Sequence, residues 1–127
     1  MPRRVLPPAG TISNIQFSNI TVDYDKGDKN CAFILTGLPD HPLQGITFSD
    51  IRATFAGGGT ADDAKNVLAE LTPEVLQGWP EYGKLKGTVP ALGLYARHVK
   101  GISVRNADFT AKAPDARPAI VFVEANK

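Results

Sequence analysis

The chain has one cysteine, two histidines, no charge excess and no long apolar run. Each shortage excludes something. With Cys31 alone, no disulfide closes within the chain, and a small buried apolar role is the expected one. Two histidines and one cysteine make a His/Cys metal site a poor expectation, and the loop acids Asp25, Asp28 and Asp40 lack the spacing of a calcium loop. No cofactor is implied. Lys and Arg number 14 against 13 Asp and Glu, so no electrostatic reason exists to expect nucleic acid or an anionic membrane as partner. No stretch approaches the roughly 20 apolar residues of a transmembrane helix. Arg3 and Arg4 have no apolar stretch behind them, so the start does not read as a signal peptide. No Ser-His-Asp or Cys-His arrangement, phosphate loop or dinucleotide signature is present. At 127 residues the expectation is one domain over 1–127, with an extension at 1–9.

What the chain does have is a phrase repeated three times. Ile15-Gln16-Phe17-Ser18-Asn19-Ile20-Thr21-Val22 is echoed by Ile46-Thr47-Phe48-Ser49-Asp50-Ile51-Arg52-Ala53, and again by Ile102-Ser103-Val104-Arg105-Asn106-Ala107-Asp108-Phe109. Two apolar residues two apart, a polar corner and two more apolar residues recur each time. Stacked coils need this pattern, because each must bend where its neighbours bend. The reading places Ile15, Ile46 and Ile102 in one stack, Phe17, Phe48 and Val104 in the next, and Ile20, Ile51 and Ala107 in a third. Asn19, Asp50 and Asn106 line up at the corner, since Asn and Asp tolerate left-handed backbone.

Companion runs follow each copy: Ala32–Leu35, Ala91–Tyr95 and Ala119–Val123. Their β-branched and aromatic content reads as short strands. A β-sandwich would need longer alternation and tight Asn-Gly or Asp-Gly hairpins, and this chain has neither dipeptide. The expected fold is all-β: a short right-handed parallel β-helix of about three coils.

The first two copies are 31 residues apart and the second and third 56, so an insertion of roughly 25 residues separates them. It runs from Gly57-Gly58-Gly59 to about Pro90. Thr60 with Asp63 reads as a capping box opening a helix over 61–71, with Ala61, Ala64, Val67, Leu68 and Leu71 on its apolar face. Thr72-Pro73-Glu74 opens a short turn over 73–77, and Gly78-Trp79-Pro80 stops it.

Three stretches resemble the C-terminal coils of glycoside hydrolase family 28, the polygalacturonase-like pectinases, most specifically the bacterial branch. They are Thr36–Ile46 (Thr-Gly-Leu-Pro-Asp-His-Pro-Leu-Gln-Gly-Ile), Gly57–Ala61, and Gly93–Gly101 together with Pro114–Ala119. The resemblance implies a parallel β-helix, a secreted or periplasmic setting, and plant cell-wall polysaccharide of the pectin type as partner. That family hydrolyses uronic polymers through aspartates in Asn-Thr-Asp and Asp-Asp motifs, supported by Gly-His-Gly and Arg-Ile-Lys. None of the four occurs here in the expected form. The chain therefore reads as a module that contacts pectin-type glycan without complete hydrolytic machinery. The alternatives are a glycoside hydrolase working through other residues or completed by oligomerisation, and a purely structural fragment.

Inverting hydrolysis needs an acid and a base about 6.5–9.5 Å apart. Asp23 with Asp25, and Asp62 with Asp63, are pairs on paper. A solvated loop accounts for the first, and a helix start for the second. Asp40 and His41, after a groove-side strand, are the remaining catalytic candidates. Arg97 suits a uronate carboxylate, which a guanidinium matches bidentately. Arg97-His98 follows the strand on the next coil, which would bring Arg97 or His98 near His41 on the same face. Trp79, Tyr82 and Tyr95 are the sugar-stacking candidates. Finally, about three coils leave open strand edges, which Pro2, Pro7 and Pro8 blunt only at the start. Self-association into a homo-oligomer through the ends is expected.

Overall fold

The computed structural model describes residues 12–24, 29, 32–68 and 88–126. Five strands and one helical turn follow in order: β1 (Ser13–Tyr24), β2 (Phe33–Thr36), β3 (Leu43–Gly57), α1 (Ala61–Ala64), β4 (Leu94–Ala113) and β5 (Ile120–Asn126). All four pairings between these strands are parallel, which removes the sandwich alternative. The phrases form one tier, β1 under β3 under the second half of β4. The companion runs form another, β2 under the first half of β4 under β5. Because β4 belongs to both tiers, the sheet curls into a half-barrel.

The register is the one the repeats imply. Ile15 pairs Ile46 and Ile46 pairs Ile102; Phe17, Phe48 and Val104 follow, then Ile20, Ile51 and Ala107. Their side chains enter one core with Leu94, Ala96 and Val99, where Ile51 and Leu94 have no exposed surface. Phe17 stacks on Phe48 at 4.8 Å, and Phe33 from the companion tier meets Phe48, Phe55 and Phe109 edge-on at 5.8–6.3 Å.

The corners bend through left-handed backbone. Asn19, Asp50 and Asn106 have φ of 55°, 58° and 50°. A second corner stacks Asn14, Gly45 and Gly101 at 58°, 64° and 70°, and a third stacks His98 on Glu124 at 53° and 51°. Amide and carboxyl side chains, or no side chain at all, suit that region.

The insertion departs from the expected helix over 61–71. The capping box forms: Asp63 N–H donates to Thr60 Oγ1 (3.1 Å), and Thr60 N–H donates to Asp63 Oδ2 (2.9 Å). The Thr60 N–H and then Lys29 hold the Asp63 carboxyl below its usual range. Yet α1 ends at Ala64 after one turn. Asn66 Nδ2 donates to the Thr88 carbonyl (2.6 Å), and Leu68 drops into an apolar layer on the outside of the companion tier. Val67, assigned to the apolar face, is 86% exposed. A one-turn helix gives way because these tertiary contacts outweigh the small gain per added helical residue. The turn expected at 73–77, the extension at 1–9 and Cys31 lie outside the described residues.

A buried ion pair fastens both ends of the insertion to the body. Arg117 donates from Nε and Nη2 to the two oxygens of Asp115 (2.9 and 2.6 Å), with side chains 1% and 2% exposed. Gly59 N–H donates to the same carboxylate (3.0 Å), and Arg117 Nη1 donates to the Val89 carbonyl (3.1 Å).

Candidate functional site: a two-cation hollow on the companion tier

Along the first half of β4, side chains alternate. Leu94 and Ala96 point into the core, Tyr95 and Arg97 to the outside. In the tier, Tyr95 is flanked by Ile34 and Val121, and Arg97 by Thr36 and Val123. Leu68, Val89 and Ala91 cover this outer face, so the first half of β4 is buried on both sides and β2 and β5 partly so. That explains their unbroken apolar sequences, as in strands of sheets covered on both faces.

The cover is incomplete. A hollow of about 290 Å³ remains between the outer face and the roots of the insertion, with Val121, Val123, Leu68 and Pro90 as apolar walls. Lys65 and Arg97 line it, and no acid does among the described residues. Arg97 Nη1 donates to the Leu68 carbonyl (2.9 Å), which fixes the guanidinium at the hollow's edge. Tyr95 sits beside it, 2% exposed; burial raises its hydroxyl above the ordinary value of 10.0, and the neighbouring Arg97 partly offsets that. Two cations with an aromatic ring and apolar walls can take a small ligand bearing a carboxylate.

The other candidates lie elsewhere. His98 is at the third corner, where its Nδ1 meets Glu124 Oε2 at 3.0 Å, so it does not join Arg97 in the hollow. Asp40 and His41 are exposed on a tight turn closed by Leu38 and His41, each N–H donating to the other's carbonyl (3.2 and 3.0 Å). No described contact links them to Arg97 or His98. Trp79 and Tyr82 lie outside the described residues, as does Asp25. Asp63 serves the capping box, and Asp62 is exposed beside it in the single turn of α1. Asp23 lines a broad, shallow groove of about 480 Å³ across the phrase tier, with Thr54, Thr110, Arg52 and Asp108. Arg52 and Asp108 pair there at 2.9 Å with both side chains mostly exposed, a weak bond in water. Among the described residues no group of three or more His, Cys, Asp or Glu side chains converges as a metal site. No described helix is long and apolar enough to cross a membrane.

Two participants went unread in the sequence. Lys65 carries no motif, and only the fold brings it to Arg97, 32 residues away. Glu124 was legible: companion runs Leu94 and Ile120 are 26 apart, and the same step carries His98 to Glu124.

Comparison with known protein families, curated proteins and solved structures finds no match for this chain.

Proposed function

We propose that the curled sheet is a short right-handed parallel β-helix of about three coils. We further propose that it is related to the C-terminal coils of glycoside hydrolase family 28, and that it contacts acidic, pectin-type polysaccharide without hydrolysing it. A secreted or periplasmic setting goes with that partner. Parallel tiers in repeat register support the first part; right-handed crossovers are the rule for parallel strands. The single observation behind the second is the hollow lined by Lys65, Arg97 and Tyr95 between apolar walls. The positive charge of Lys65 and Arg97 suits a uronate carboxylate, and the sugar's apolar face fits the Val121 and Val123 wall.

Affinity electrophoresis against polygalacturonate, rhamnogalacturonan and xylan, with a reducing-end assay in parallel, tests it. Retardation by polygalacturonate is expected, falling about tenfold in Lys65→Ala and in Arg97→Ala, with no new reducing ends. Equal retardation by neutral xylan would remove the uronate reading. New ends that vanish in His41→Ala would favour an enzyme instead.

A further inference from the structure

Both ends of the stack present strand edges with no partner among the described residues. Below, β1 pairs only with β3, and β2 only with β4. Above, residues 102–113 of β4 pair only with β3, and β5 only with β4. The upper end is also hollow. A cavity of about 340 Å³ opens there among Ile102, Val104, Ala107, Ile120 and Phe122, with Asn106 at its rim. These residues face inward, and no described residue forms a further layer above them.

The required layer is defined by the one already beneath. Ile46, Phe48 and Ile51 of β3 lie under Ile102, Val104 and Ala107. The same three residue types in the same spacing occur in β1, as Ile15, Phe17 and Ile20, and all three are only partly buried at the lower end. In the companion tier, Leu94 lies between Phe33 below and Ile120 above. Phe33 and Leu35, on the lower edge, are thus the types that rest on such residues. We propose that the protein assembles head to tail with a second copy of itself, β1 and β2 of one copy seating on β4 and β5 of the other in the register used between its own coils. Phe17 then covers Val104 as Phe48 does from below, and Asn19 continues the corner ladder above Asn106. The contact is heterologous and leaves a fresh edge at each end, so it propagates rather than closing at a dimer. This inference is independent of the glycan reading.

Sedimentation of the full chain from micromolar to millimolar concentration tests it, with Phe17→Lys blocking the lower end and Val104→Lys the upper. Wild type is expected to grow past the dimer with concentration. Each variant alone is expected to stay monomeric, and their equimolar mixture to form dimers and nothing larger. A wild type monomeric throughout, a mixture that stays monomeric, or one variant that dimerises with itself would each overturn the proposal. So would a wild type that associates only after residues 1–11 are removed, which would give the β1 edge to the chain's own first segment. Amide exchange needs no variant. It is expected to slow with concentration at β1 and at 102–113 and not at β3, which is already paired on both sides; equal slowing everywhere, or none, counts against head-to-tail stacking.

Discussion

Asn106 donates from Nδ2 to Asp50 Oδ1 across 2.7 Å, and both residues hold left-handed backbone on adjacent strands. The corner is thus a ladder whose rungs carry the same unusual φ. Asp50→Asn is expected to be nearly neutral. Asp50→Val forces a β-branched side chain into that region and removes the bond, at about 2 kcal/mol in all. Thermal melting checks this as a loss of several degrees for Val and little for Asn; equal losses would mean that the corner φ is not what matters.

Asp115 and Arg117 form the buried pair behind the insertion. Breaking it from one side, as in Arg117→Met, leaves an uncompensated buried carboxylate and is expected to cost about 3–5 kcal/mol in denaturant unfolding. Replacing both members with apolar residues should recover much of that. A double variant as unstable as the single one would contradict the account.

The same pair sets an acid limit. Hydrogen bonds from the Arg117 side chain, with backbone N–H groups of Arg117 and Gly59, hold the Asp115 carboxyl at about 2 rather than 3.8. The folded value lies below the unfolded one, so the unfolded chain takes up the proton first as pH falls. The stabilisation, roughly 2 kcal/mol, is present above the unfolded value and lost as pH drops through the folded one. Acid unfolding of wild type should show this slope below about pH 4, and Asp115→Asn should lack it.

Tyr95 sets an alkaline limit of opposite sign. Burial raises its hydroxyl value, so the unfolded chain loses that proton first, and stability falls as pH rises past the ordinary 10.0. Ultraviolet titration should find Tyr95 ionising late. Tyr95→Phe should abolish that step and flatten the alkaline loss; an unchanged titration would show that another ring carries it.

Gly93 faces the Phe109 ring so closely that a Cβ there would overlap it. Gly93→Ala must displace Phe109 and is expected to cost about 1–3 kcal/mol. Phe109→Leu in the same background should restore part of the loss in the same unfolding measurement.

The strand register was legible in the sequence for a physical reason. Parallel strands in register set like residues on like, so Ile, Phe and Ile must recur together with the polar corner, and Asn19, Asp50 and Asn106 take the conformation their side chains suit. The companion strands were legible as strands, but not why they are apolar on both faces, because the cover comes from Leu68 and Val89 at the insertion's two roots. The capping box at Thr60 and Asp63 was equally legible, while the length of α1 was not. A cap is made within four residues, whereas the helix end depends on contacts with Thr88 and the outer layer.

The candidate site divides in the same way. Arg97 and Tyr95 stood out by type, and strand alternation alone puts them on one face. That His98 turns away to Glu124, that Lys65 arrives beside Arg97, and that Tyr95 is buried were decided by tertiary structure. By itself the sequence determined what repeats: the stacks, the corners and the spacing between the copies. Only the folded chain decided what meets across unlike segments, because those contacts join residues that share no period and are brought together by the curl of the sheet.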